Sequence, residues 1–363
     1  MNKLKVAVYA ISKNEEKFVD RWMDSIQDAD VICVTDTGST DATVEMLKNR
    51  GAAVQVKIIE PWRFDIARNI SMDFIPLDVD VCICLDLDEV LEPGWRQRLE
   101  EIWIPGVTGV RYLYTWSFND NGSRGVTFWK EKIHARHGYT WTHPVHEILA
   151  YVGDGENNYI SDEHIKINHY PDPTKSRSSY LPLLELSVLE DPDDDRNMHY
   201  LGREYMYYSM WDKCIETLKR HLDLPTALWR DERSASMRFI SRAYIAKEEF
   251  AEARSWLYRA IAEAPHLREG YVELAKLAYM GEDWPTVYHM AEEALKITER
   301  ARTYINEVFS WDSTIYDLGS LACYYLGMYA RAEELIKQAI YLDPNNDRLR
   351  TNLKLITTKL QGD

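Results

Sequence analysis

The feature that most constrains this chain is a self-similarity in its C-terminal half. The segment "SASMRFISRAYIAKEEFAEARSWLYRAIAEAP" (234–265) aligns with "REGYVELAKLAYMGEDWPTVYHMAEEALKITE" (268–299) at an offset of 34 residues. Ser241 and Ala275 share a small-residue slot, Leu257 and Ala291 another, and Ala260 and Ala294 a third. A later copy at 313–344 places Ala332, Ala339 and Pro344 where the first has Ala253, Ala260 and Pro265. A looser one at 195–225 brings Gly202, Tyr205 and Cys214 into register. Such copies read as helical hairpins whose small residues let paired helices approach closely. A single hairpin cannot bury its apolar face alone, so about four stacked copies are expected. A polar helix near 347–360 would cap them, and 302–312 reads as an insertion. The competing reading is a generic helical bundle.

The first 110 residues have a different rhythm. "KVAVYAI", "DVICVTDT", "AAVQVKII" and "VDVCICLDL" read as strands. "NEEKFVDRWMDSI", "STDATVEMLKNRG" and "DIARNISMDFI" between them read as helices. This alternation predicts helices packed on a mostly parallel sheet. In such sheets ligands sit outside the carboxyl ends of the strands. Three of those ends carry polar clusters: Ser12–Lys13–Asn14, Asp36–Thr37–Gly38–Ser39 and Asp86–Leu87–Asp88. Residues 107–170 are β-rich and suggest added strands and a hairpin; "RHGYTWTHPVHEIL" within them holds His137, His143 and His146. The expected boundaries are 1–173 for the α/β domain, 174–194 for a connecting helix or linker, and 195–363 for the repeats.

Bulk properties exclude some functions. The net charge of −16 argues against bulk electrostatic binding to nucleic acid, although a local basic groove stays open. Cys33, Cys82, Cys84, Cys214 and Cys323 are expected to be buried reduced thiols, because Cys82–Cys84 is CxC with no second pair to complete a zinc site. "MNKLKVAVYAISKNEE" has too short an apolar run for a signal peptide, and no 18-residue apolar run exists, so a soluble cytoplasmic protein is expected.

The strand "VCICL" runs straight into Asp86, Asp88 and Glu89. Carboxylates at i and i+2 of an extended backbone point to one side. Such a pair suits a hard divalent cation that also bridges phosphate oxygens. A solvated strand-to-loop junction is the bland alternative.

Together "AISKNEE", "VTDTGSTDAT", "FDIARNISM" and "CLDLDEVLEPGW" resemble family 2 glycosyltransferases of the GT-A (Rossmann-like) fold. "TWTHPVHEIL" and "INHYPDP", followed by repeats of the tetratricopeptide type, resemble the branch with a helical-repeat tail. Peptide S-glycosyltransferases and many bacterial and phage enzymes are similar in layout. The resemblance implies an α/β domain followed by an all-α solenoid. It implies a metal-dependent inverting transferase using a nucleotide sugar, first of all a UDP-sugar, with Mn2+ or Mg2+. Ser12, Asn14 and Glu15 would line the nucleotide pocket and Asp36 would hold the uracil or ribose. Arg68 would lie near the diphosphate with Asp65 nearby, and Asp86 would accept from a ribose hydroxyl. Asp88 would bind the metal, with His169 as a further ligand and His146 second in line.

Direct displacement needs a base on the acceptor side. Glu147 is the first candidate, with His146 and Glu89 as alternatives. An arginine at helical spacing from Asp65 could instead pair with it. Trp116, Trp129 and Trp141 could face a sugar ring or pack inside, and "NDNGSRGVTFWKEK" could close as a lid. The helical tail reads as a binding surface for an acceptor peptide, protein or glycan, or for a second copy of the chain. Two other readings compete: a nucleotidyltransferase, against which the glycine-free "AISKNEEKF" counts, and a non-catalytic repeat scaffold.

Overall fold

The computed structural model describes residues 4–119, 122–174 and 180–362. The chain forms two compact units, Met1–Ser187 and Val188–Asp363.

In the first unit, β1 (Val6–Ser12), β2 (Val31–Asp36), β3 (Ala53–Val56) and β4 (Val81–Cys84) alternate with α1 (Glu16–Ser25), α2 (Thr43–Asn49) and α3 (Phe64–Asp73). There follow β5 (Glu89–Leu91), α4 (Trp95–Ile102), β6 (Gly109–Thr115), β7 (Thr127–Ala135), β8 (Tyr139–Thr142), β9 (Ile148–Tyr151) and β10 (Tyr159–His169). The sheet order is β3-β2-β1-β4-β7-β6-β10-β5. The first four strands are parallel, as the alternation predicts. β7 then joins β4 antiparallel, and β10 lies parallel to β6 and antiparallel to the short β5.

β1 is buried on both faces, and its side chains divide with period two. Val6, Val8 and Ala10 join a core with Trp22 of α1, Leu47 of α2 and Leu99 of α4. Ala7 and Tyr9 join Cys33, Cys82, Cys84, Met72 and Trp141 on the other face. All five cysteines are buried and free, as expected. The strand order reverses at β1, whose two neighbours are β2 and β4, so the crevice at the carboxyl ends opens there. The hairpin β8–β9 was not anticipated: "HPVH" is its turn, with His143 and His146 at φ 75° and 51°.

A buried relay holds the second face together. Trp141 Nε1 donates to the Tyr9 hydroxyl (2.9 Å), which donates to His134 Nε2 (2.9 Å). His134 Nδ1 donates to the Ala135 carbonyl (2.8 Å), so the ring is neutral with a defined tautomer. Burial pushes His134 down to about 4 from 6.5. The unfolded chain therefore binds the proton first, and stability present above pH 6.5 is lost as the pH falls toward 4. At about 1.4 kcal/mol per unit this is roughly 3 kcal/mol. Denaturant melts from pH 7 to pH 4 should show this slope, and His134→Gln should flatten it; identical slopes in the two proteins would refute it.

In the second unit, paired helices follow in the expected register. They are α6 (Asp195–Tyr207) with α7 (Trp211–Asp223), α8 (Arg230–Ala246) with α9 (Phe250–Glu263), α10 (Arg268–Met280) with α11 (Trp284–Lys296), and α12 (Thr314–Tyr325) with α13 (Tyr329–Leu342). α14 (Asp347–Gly362) follows; α5 (Tyr180–Glu190) straddles the boundary between the units. The small residues sit where helices touch. A Cβ on Gly202 would come within 2.4 Å of Leu218, and Ala253, Ala260, Ala291, Ala294, Ala332 and Ala339 are fully buried. Ser241 and Ser234 donate to the carbonyls of Ala253 and Ala260 on the facing helix, both at 2.9 Å.

Candidate active site

The crevice is walled on one side by the loops after β1 and β2. Asp36 is fully buried, and its carboxylate accepts from Ser12 Oγ (2.8 Å), Gly38 N (3.0 Å), Ser39 N (2.8 Å) and Ser39 Oγ (2.5 Å). Gly38 is required in this turn: φ is +108° and a Cβ would meet Ile58 at 2.7 Å. Asn14 Oδ1 accepts from Thr40 N (2.8 Å), and the Asn14 and Glu15 amides donate to Ser39 Oγ (2.8 Å) and Thr43 Oγ1 (2.7 Å). Ser12, Asn14, Glu15 and Asp36 are thus brought together. The carboxylate of Asp36 faces the protein and shapes the loop.

At the end of β4 the backbone turns instead of continuing extended. Glu89 N donates to the Asp86 carbonyl (2.9 Å), and Asp86 N donates to Glu89 Oε2 (3.0 Å). The i, i+2 expectation for an extended strand therefore fails, and Asp86 and Asp88 go to different partners. Arg68 of α3 grips Asp86 with both ends of its guanidinium, Nη1–Oδ1 at 2.7 Å and Nη2–Oδ2 at 3.1 Å, and Lys132 Nζ adds a bond to Oδ2 (2.9 Å). Burial opposes the charge on Asp86, but Arg68 and then Lys132 outweigh it and hold the carboxyl well below the usual range. Lys130 Nζ donates to Glu89 Oε1 (3.0 Å), and Arg68 Nε donates to Glu147 Oε1. The buried Arg68 leaves Asp65 to Arg63, whose Nε and Nη2 bind its two oxygens at 3.0 and 2.8 Å. The i, i+3 pairing is not made.

Three cations therefore meet three carboxylates: Arg68, Lys130 and Lys132 against Asp86, Glu89 and Glu147. Asp88 stands apart, with an imidazole beside it: His169 Nε2 lies 3.4 Å from Asp88 Oδ2. His169 Nδ1 donates to the Trp116 carbonyl (3.2 Å), which turns Nε2 toward the carboxylate. β5 and β10 bring the two together by pairing Glu89 with His169, and Tyr170 N donates to the Asp88 carbonyl (2.8 Å). Trp116, half exposed, stacks on the His169 ring at 4.4 Å. Trp141 is core. His146 lies in the hairpin turn, edge-on to Tyr180 at 5.7 Å.

Lys130 and Lys132 were missed in the sequence. Their signal was "WKEK" in a strand, which puts two lysines on one face; the neighbour of that strand was not readable. The segment 119–132, which the sequence suggests as a lid, lies partly outside the described residues. In the described part Arg124 is tied to Thr115 Oγ1 (2.5 Å), Asn168 Oδ1 (3.1 Å) and Glu92. Among the described residues one trio has ligating atoms within 4.8 Å of one another, and it lies apart from the Asp88–His169 pair: Asp195, His221 and Glu232 in the second unit. Glu232 there accepts from the Tyr304 hydroxyl and faces His221 Nε2 at 3.5 Å, as expected of a buried polar network. No helix among the described residues is long and apolar enough to cross a membrane.

Fold and site define an α/β domain with an acidic and basic cluster at the carboxyl edge of a mixed sheet. Residues 8–149 match the family model described as glycosyl transferase family 2, so the first unit carries a domain of that family, followed by helical repeats. An uncharacterized glycosyltransferase of Rickettsia typhi is 30% identical over 100 residues, 27% of this chain and 33% of the relative. The match thus spans about a third of the length of that curated relative. Among solved structures, the C-terminal part of a TPR repeat-containing protein from Cytophaga hutchinsonii aligns at a TM-score of 0.41 and 12% identity, covering 51% of this chain and 67% of that one. MamA aligns at 0.38 and 18% identity, covering 49% and 99%. The repeat architecture rests on the chain's own helices and not on these scores.

Proposed function

We propose that this chain transfers a sugar from a nucleotide sugar, first of all a UDP-sugar, to an acceptor nucleophile, inverting the anomeric carbon and using a divalent ion held by Asp88 and His169. The observation that carries this reading is the Asp88–His169 pair. It offers one carboxylate and one imidazole nitrogen whose ring is oriented by the Trp116 carbonyl, beside a cluster whose other charges are matched. An imidazole in the donor set favours Mn2+ over Mg2+. The ion, when bound, would neutralise the charge that gathers on the departing diphosphate.

The chain's own groups do the rest. Asp86, held ionised by Arg68 and Lys132, accepts from a ribose hydroxyl. The stitched loops at 12–15 and 36–39 form the wall against the base. Trp116 offers its exposed face to a sugar ring. The acceptor X–H gives its proton to the base as the X–C1 bond forms and the C1–O bond to the diphosphate breaks. Glu147 Oε1 is committed to Arg68, so Oε2 is the atom that takes the proton; His146 is the second candidate. Glu147→Gln keeps an oxygen for Arg68 and should lower transfer by about 10²–10⁴-fold with donor affinity unchanged. Equal loss of donor affinity would instead make Glu147 a positioning residue.

The experiment on the function itself is thermal unfolding with UDP-, GDP- and dTDP-sugars, with and without Mn2+. A donor at a hundred times its Kd should add about 2.7 kcal/mol. No shift with any of them would overturn the transferase reading and favour the scaffold.

A further inference from the structure

The repeats hold a segment of their own chain. Between α11 and α12, Lys296 to Thr314 leaves 17 intervening residues, against four between α9 and α10. A connection of that length with one short 3-10 turn, Val308–Ser310, calls for a functional reason. It runs across the first helices of the three preceding hairpins, α6, α8 and α10. Tyr304 stacks on Tyr200 of α6 at 5.8 Å and gives its hydroxyl to Glu232 of α8. Glu307 accepts from Arg238 (2.6 Å) and Arg242 (2.5 Å) of α8. Phe309 lies under Lys276 of α10 at 3.7 Å, and Trp311 under Arg268 at 4.1 Å. Backbone groups join in: Arg238 Nη2 donates to the Ile305 carbonyl (3.3 Å), and Glu307 N donates to Glu269 Oε1 (3.2 Å).

These are the contacts of a bound peptide. The stretch, folded in turns about Val308–Ser310, gives backbone groups to side chains of the helices, and its acidic and aromatic side chains meet cations. The charge count points the same way. Arg238 and Arg242 share one carboxylate of the helices, Glu273, at 2.8 and 2.7 Å. Glu307 supplies the second anion, and burial, which opposes its charge, is outweighed by Arg238 and Arg242. Without the segment Arg238, Arg242, Arg268 and Lys276 would stand against the helices' own carboxylates Glu232, Glu269 and Glu273, leaving cations over for an acidic and aromatic ligand. The buried Thr303 Oγ1, Asn306 Oδ1, Ser310 Oγ and Trp311 Nε1 have no hydrogen-bond partner among the described residues.

We propose that the face lined by α6, α8 and α10 is a peptide-binding surface occupied by residues 300–312 as a displaceable internal ligand. Its partner is a polypeptide segment with an acidic residue flanked by aromatic side chains. A partner must compete with the tethered copy, so its apparent affinity is reduced by the fraction of chains in which the face is open. This inference does not depend on the sugar-transfer reading.

The test uses the labelled synthetic peptide of residues 300–312 and two full-length proteins, the intact chain and a variant with 300–312 replaced by a Gly-Ser linker of equal length. Fluorescence anisotropy should show one-to-one binding to the linker variant, at least about 100-fold weaker binding to the intact chain, and loss of binding for a peptide carrying Glu307→Lys. In the intact chain Glu307→Lys should speed hydrogen exchange across 300–312 and leave α8 and α10 protected. The proposal falls if the folded linker variant does not bind, or if the intact chain binds equally well. It falls also if removing the segment destroys the cooperative melt, or if Glu307→Lys unprotects α8 and α10, because the segment would then be part of the core.

Discussion

Asp88→Ala is expected to abolish divalent-ion-dependent donor hydrolysis and leave the fold almost untouched. The two halves of this expectation have separate causes. The side chain contributes the carboxylate that faces His169 Nε2 at 3.4 Å, whereas its structural contact is the backbone carbonyl that accepts from Tyr170 N. Truncation keeps the second and removes the first. An ion that stabilises developing charge is worth several kcal/mol, and each 1.4 kcal/mol is tenfold in rate, so a loss on the order of 10³-fold is expected. The melting temperature should move little, because no buried charge is left behind. Mn2+ titration followed by hydrolysis assays on both proteins decides it. A variant with the wild-type rate and the wild-type response to Mn2+ would remove the ground for metal-assisted transfer.

Arg68→Met should have the opposite signature, a large loss of stability together with loss of donor binding. Arg68 is buried, and its guanidinium is shared by Asp86, Glu147 and the Cys84 sulfur at 3.1 Å, with its plane near Trp141 at 5.1 Å. Removing one partner of a buried pair costs about 3–5 kcal/mol, because the other charge stays buried without compensation. Lys132 still serves Asp86, so Glu147 is the group left without its cation. The melting temperature of this unit should fall by roughly 10 °C. The double variant Arg68→Met, Glu147→Met should recover part of that loss, since it deletes the stranded carboxylate as well. Additive losses in the double variant would show that the two residues are not coupled as their contact indicates.

The acid side of stability follows from the same cluster. Asp86 and Glu89 are both held below their ordinary values of 3.8 and 4.5. Their contribution is complete above those values and is lost as the pH falls below them. The loss predicted for His134 lies higher, between pH 6.5 and about 4. Acid unfolding should therefore show a shallow slope first and a steeper one below pH 4, and His134→Gln should remove the first alone.

Much of this molecule was legible in its residues, and the reason is local. A strand buried on both faces needs a run such as "VAVYA", and a hairpin that stacks needs alanine or glycine where its helices meet. Each of these conditions acts on neighbours a few positions apart, so β1 to β4, the helices between them and the paired helices at 195–342 could be read directly. The acidic tip was visible for the same reason: three carboxylates after an apolar run break the pattern. What each carboxylate does was not visible. Asp86 and Asp88 differ because a turn sends one toward α3 and β7 and the other toward β10, and those partners lie far along the chain. Asp36 looked like a ligand-facing acid, yet its lone pairs are filled by the loop it shapes.

The sequence by itself determined the two kinds of unit, the edge of the sheet where polar groups collect, and the stacking surfaces of the repeats, because periodicity and residue size act over short distances. The tertiary structure alone decided that Lys130 and Lys132 answer Asp86 and Glu89, that His169 meets Asp88, and that the insertion at 300–312 lies across three helices. Those outcomes depend on which distant segments become neighbours, and charge matching across such contacts leaves no periodic trace in the chain.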